Sequence, residues 1–150
     1  MLNVPEKLFN REFEEVEIGI STLNFFPKDN LAKEQIGYGY DQSNAEAKNW
    51  FGKEFVVIGK NTSLGSPIIA KVDEAEIPVF TMFENDKSSV ERVADSFEQY
   101  MGVLGMIKKT DLYRKDRIIE LLDEIEGIVP QNSLYYWEDL INSAFDYYTD

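Results

Sequence analysis

The chain has 150 residues, with 15 Lys+Arg against 28 Asp+Glu for a formal charge of −13, and it contains neither histidine nor cysteine. That inventory excludes disulfides, thiolate nucleophiles, imidazole bases and zinc sites of the ordinary kind, so any catalysis would rest on carboxylates, lysines, hydroxyls or the backbone. A charge of this size opposes approach to nucleic-acid phosphates and anionic membranes and favours a basic partner, while 43% hydrophobic and 13% aromatic residues put the chain among folded proteins.

No apolar run approaches the roughly 18 residues of a membrane span. Residues 1–7 show neither the basic nor the apolar region of a secretory signal, and the expected compartment is the cytoplasm. Glycine and proline are scattered, without a linker or repeat, so residues 1–150 are read as one domain.

Leu8, Phe9, Phe13 and Val16 recur at helical spacing, whereas residues 16–20 alternate as a strand does, which predicts a helix and then a strand. Residues 22–26 form a second strand candidate ended by Pro27, and Asp29 is placed to cap a short helix through Gln35. Residues 36–40 read as a strand or ordered loop, and Ser43 with Asn44 opens a short helix through Trp50 that Gly52 closes.

The centre is β-rich. Residues 55–59, 67–72 and 77–83 are separated by turn-forming stretches and predict a meander of three strands. In the third, Ile77, Val79, Thr81 and Phe83 share one face, with Phe80 and Met82 on the other. A strand apolar on both faces belongs inside a covered sheet, and Pro78 lies near its start, where a missing donor is tolerated.

The period then changes. Ser88 with Glu91 matches a capping box, and Val90, Val93, Ala94, Phe97, Met101 and Leu104 make one helical stripe. Gly102 and Gly105 weaken its last turns by about 1 kcal/mol each relative to alanine. Asp111 is placed to cap a further helix with Leu112, Ile119, Leu122 and Ile125 inward and Gly127 as its stop. Asn132 or Ser133 opens the last helix, striped by Trp137, Leu140, Ile141, Ala144 and Phe145.

Charge is uneven along this plan. Residues 118–150 hold eight acids (Glu120, Asp123, Glu124, Glu126, Glu138, Asp139, Asp146 and Asp150) and no base. Such a surface steers a basic partner, or simply keeps helix faces solvated. Asp41, Glu54, Glu84 and Asp86 flank strand and loop ends, where paired carboxylates would stand in a small hydrolase, although ordinary turn acids look the same. The stretch Glu84-Asn85-Asp86 lacks the spaced acids and glycine of a calcium loop, and no glycine run matches a phosphate loop or dinucleotide fingerprint, so no metal or cofactor is expected. Aromatics cluster at Tyr38, Tyr40, Trp50 and Phe51 and again at Tyr135, Tyr136, Trp137, Phe145, Tyr147 and Tyr148. Trp137 and Phe145 sit at core spacing, while Tyr136 and Tyr147 point elsewhere and are free to meet a partner.

The order of segments between about Ile36 and Ile107 resembles the SUKH superfamily. The match is carried by Trp50-Phe51 before Phe55-Val56-Val57-Ile58-Gly59, then Pro67-Ile68-Ile69-Ala70-Lys71-Val72, then Ile77-Pro78-Val79-Phe80, and by the stretch from Val93 to Met101 with its Ala94, Ser96, Phe97 and Tyr100. Residues 1–35 and the helical stretch after Lys108 lie outside it. The resemblance implies an α+β domain, a mixed and mostly antiparallel sheet with helices packed on it, and residues 109–150 as a helical extension. It implies a binding role rather than an enzymatic one, as in the family's bacterial immunity proteins, which neutralise a cognate toxin that is frequently a nuclease. The fungal cell-wall regulators of the same family suggest the alternative of an adapter or regulatory domain. On either reading the partner is a protein, basic if it is a toxin, and not a membrane or nucleic acid. The residues expected to meet it are Tyr40, Asp41, Glu84 and Asp86 near the sheet and Tyr136, Glu138 and Asp139 on the last helix.

Overall fold

The computed structural model describes residues 4–35, 54–82 and 89–150. Among these, six strands form one sheet in the order β1-β2-β3-β4-β5-β6, accompanied by four α-helices. The strands are β1 (Glu15–Ile18), β2 (Ser21–Phe25), β3 (Phe55–Asn61), β4 (Pro67–Lys71), β5 (Val79–Thr81) and β6 (Glu91–Ala94). The helices are α1 (Leu31–Glu34), α2 (Phe97–Lys108), α3 (Lys115–Glu126) and α4 (Leu134–Thr149). Every strand pairing is antiparallel, so the fold is α+β with sequential strands side by side.

Local chemistry explains the hairpins. Gly19 has φ +65 between β1 and β2, a conformation glycine adopts without steric cost, and a Cβ there would lie 2.6 Å from the Ala144 Cα. The tight turn and the approach of α4 therefore both require glycine. The meander expected over residues 55–83 is present as β3, β4 and β5, and both faces of β3 and β4 are buried. Pro78 stands just before β5, where its carbonyl accepts from the Lys71 N–H at 3.0 Å. The expected elements at residues 36–52, and the positions Phe83 and Ser88, lie outside the described residues.

The sheet is curled, and α2 and α4 each touch both of its edge strands, β1 and β6. Buried apolar side chains form one cluster reaching from Leu8 through the strands to Trp137, Ile141 and Ala144. Aromatic rings link its layers: Phe25 of β2 meets Tyr100 of α2 edge-on at 6.3 Å, and Tyr100 meets Trp137 of α4 at 5.4 Å. The helical stretch after Lys108 thus shares the core of the sheet.

Three local expectations are corrected. Residues 6–9 form one turn of 3-10 helix, and the strand that follows ends at Ile18. The helix expected from Ser88 begins instead at Phe97, because residues 91–94 pair with β5 as the last strand. Its true cap is Ser96, whose side chain accepts from the Gln99 N–H, while Gln99 accepts from the Asp95 N–H at 2.7 Å. In α3 the inward residues are Ile118, Leu121 and Ile125, and Ile119 is 53% exposed. Two adjacent apolar rows, one through Ile118 and the other through Ile119, compete for the interior, and the position of α4 selects the first.

Candidate protein-binding surface

β1 is an edge strand of four residues whose side chains alternate: Val16 and Ile18 are buried, Glu15 and Glu17 exposed. In its ladder with β2, Phe25 N–H donates to the Glu14 carbonyl, and Val16 lies opposite Leu23. The alternation of an antiparallel ladder then turns the backbone groups of Val16 and Ile18 toward β2 and those of Glu15 and Glu17 away from the sheet. These outward groups have no hydrogen-bond partner among the described residues. The next outward amide, Gly19 N–H, donates to the Tyr148 hydroxyl at 3.2 Å.

The other edge is treated differently. Ser133 Oγ donates to the Arg92 carbonyl at 2.7 Å and Trp137 Nε1 donates to the Val93 carbonyl at 2.9 Å. α4 and the turn before it thus close β6, while β1 stays open at Glu15 and Glu17.

Beside β1 runs a groove of about 520 Å³, bounded on its far side by the connection from α2 to α3. Val16, Ile107 and Leu112 form its apolar floor. Its rim carries Glu15, Glu17, Asp111 and Lys108, with Tyr113 and Tyr148 exposed by 58% and 44%. None of the three carboxylates has an ion-pair partner among the described residues, and Lys108 lies over the Phe13 ring at 4.8 Å. Exposed tyrosines beside an apolar floor and uncompensated acids are the ingredients of a protein-recognition surface.

A second groove, of about 440 Å³, lies between α2 and the segment preceding β1. Arg11 lines it with a side chain only 2% exposed, stacked between Phe9 and Phe25 at 5.6 and 5.5 Å. Its Nη2 donates to Glu14 and to the Phe26 carbonyl, while Nε and Nη1 are buried with no hydrogen-bond partner among the described residues.

Of the residues expected to meet a partner, Tyr40, Asp41, Glu84 and Asp86 lie outside the described residues. Tyr136, Glu138 and Asp139 occupy the first turns of α4, at the β6 side. Asp139 is exposed and Glu138 half-buried. Tyr136 is also half-buried, its ring edge-on to Trp137 at 5.0 Å and its hydroxyl 3.4 Å from that of Tyr100. Burial pushes the Tyr100 phenol well above its ordinary range and Tyr136 up to about 12. The rise of about 1.5 Å per residue places these positions more than one helical turn from Tyr148 at the β1 end, so they form a separate patch.

The acids of residues 118–150 are spread over α3 and α4. Seven of the eight are exposed, and Glu120 alone, 3.2 Å from Arg117, has a cationic partner among the described residues. Glu15, Glu17 and Tyr113 escaped the sequence reading as binding residues. The available signal was the acid at each outward position of an alternating strand, but only the sheet order identifies that strand as an open edge.

Among the described residues no three acidic side chains converge to hold a metal ion, and no helix is long and apolar enough to cross a membrane. No protein-family model, no curated protein and no solved structure matches the chain.

Proposed function

We propose that this chain is an immunity protein that binds and neutralises a basic protein toxin in the cytoplasm, without catalysis of its own. The observation that carries the reading is an anionic surface with few ion pairs among the described residues: the exposed Asp123, Glu124 and Glu126 of α3 and Asp139 and Asp146 of α4, together with Glu15, Glu17 and Asp111 beside exposed tyrosines. A nuclease toxin must present a basic groove to its substrate phosphates, and an anionic plug competes for that groove. Support also comes from the resemblance of the segments between Ile36 and Ile107 to the SUKH superfamily, whose bacterial members include such proteins.

Co-expression with the toxin encoded beside it tests the reading: cells survive when the chain is present and die when it is absent. The association rate should fall about tenfold or more as ionic strength rises from low to near-molar salt. A rate indifferent to salt removes the electrostatic account. A pull-down that recovers housekeeping proteins and no toxin replaces immunity with the adapter reading.

A further inference from the structure

We propose that the outer edge of β1 is the seat for an extended basic segment of the partner, which adds to the sheet as a seventh strand. The inference rests on the reading of the chain as a binder of basic proteins and names how the partner is held.

Three features converge at this edge. The first is the backbone: the N–H and C=O groups of Glu15 and Glu17 face outward and are unpaired among the described residues, at the two-residue repeat of about 6.8 Å that an added strand matches. The second is shape. The groove beside β1 is floored by Val16, Ile107 and Leu112 and flanked by Tyr113 and Tyr148, so one face of an incoming strand finds apolar contact. The third is charge, since the side chains of Glu15 and Glu17 stand on the rim of the groove, on the face of β1 opposite Val16, and have no cationic partner among the described residues. A strand alternating lysine or arginine with apolar residues satisfies both faces at once, because its side chains alternate with the same period.

A second copy of this chain fits badly. Pairing β1 with itself would set Glu15 and Glu17 across from their own counterparts, and like charges directly opposite are destabilising. Charge on an open edge deters such pairing, and the same charge selects a basic strand. β6, by contrast, is closed by Ser133 and Trp137, whereas among the described residues no group bonds the outward backbone of Glu15 and Glu17.

The test uses a labelled, end-capped peptide of about eight residues alternating lysine with valine and threonine, and a control with glutamate for lysine. Binding is followed by fluorescence anisotropy and by residue-resolved amide hydrogen exchange on the full chain. The lysine peptide should bind at low salt and slow exchange at the Glu15 and Glu17 amides about tenfold or more, and the glutamate peptide should do neither. Glu15→Pro removes an N–H that the β1–β2 ladder does not use, so it should blunt the edge and weaken the lysine peptide about tenfold while the sheet persists. If that variant fails to fold, the double variant Glu15→Lys with Glu17→Lys serves instead, and should reverse the preference between the two peptides.

Failure to bind the lysine peptide, or exchange slowed on α3 and α4 with the two β1 amides unchanged, overturns the proposal. Protection of those amides that grows with protein concentration alone also overturns it, in favour of a second copy. A toxin complex that forms and is insensitive to both variants discards the seventh strand and leaves immunity standing. A lysine peptide seated on β1 in a chain that rescues no cell keeps the seat and removes the immunity reading.

Discussion

Gln35 holds the backbone of Val57 with both ends of its amide: Oε1 accepts from the Val57 N–H at 2.8 Å and Nε2 donates to the Val57 carbonyl at 2.7 Å. β2 pairs with β3 only over Gly59 to Asn61, so at Val57 one side of β3 has no neighbouring strand among the described residues. A side chain from just beyond α1 fills the gap, and Gln35 is buried to do so. Gln35→Leu should keep the volume and orphan both groups, costing about 2 to 4 kcal/mol in urea unfolding. A loss under about 1 kcal/mol would mean that water or a shifted strand replaces the amide.

Two glycines should respond oppositely to alanine. Gly19→Ala adds a Cβ at positive φ that lies within 2.6 Å of the Ala144 backbone, and the strain should lower stability by about 2 kcal/mol or more. At Gly102 in α2 nothing stands within 4 Å of an added Cβ, so Gly102→Ala should raise stability by about 1 kcal/mol. Thermal unfolding of the two variants should shift the midpoint in opposite directions.

The Tyr100 and Tyr136 phenols sit hydroxyl to hydroxyl with their pKa values raised mainly by burial, Tyr136 to about 12. In the unfolded chain both ionise at about pH 10. Above that pH the unfolded state holds fewer protons than the folded one, so stability falls as pH rises. The contribution should be complete below about pH 10 and lost progressively toward about pH 12. Chemical unfolding across that window should show the decline, and the double variant Tyr100→Phe with Tyr136→Phe should flatten it. An equally steep decline in the double variant would assign it elsewhere.

Arg11 buries a charge whose Nε and Nη1 donors find no partner among the described residues, although its guanidinium stacks between two phenylalanine rings. Removing one partner of a buried ion pair is costly when the other is left buried and unpaired, but the Glu14 side chain is 61% exposed and keeps its solvation, so the desolvation of the arginine is what an apolar side chain would relieve. Arg11→Met should therefore range from neutral to about 2 kcal/mol more stable. A loss above about 3 kcal/mol would show that the stacking and the bonds to Glu14 and Phe26 outweigh the desolvation.

Local periodicity located the last helix with its inward Trp137, Leu140, Ile141 and Ala144, because its stripe admits one period and one face, and the strands around residues 55–83 followed from short β-rich runs buried on both faces and bounded by turn-forming stretches. It failed where a segment fits two environments. Val93 and Ala94 satisfy a helical stripe as readily as a strand, and only their pairing with β5 decides between them. In α3 the choice between two apolar rows follows from where α4 lies.

The acidic balance and the absence of histidine and cysteine are properties of the chain itself, and with them the restriction to carboxylate, lysine, hydroxyl or backbone chemistry. The proposed binding surface is not a property of that kind. Glu15 at the end of an expected helix and Glu17 in the expected strand read as ordinary solvated acids until the order of six strands puts β1 at an edge, with Leu112, Tyr113 and Tyr148 brought beside it from the far end of the sequence. Alternation along a strand is local and can be read residue by residue, but whether its backbone has a neighbour depends on contacts between segments more than a hundred residues apart, as Gly19 and Tyr148 are.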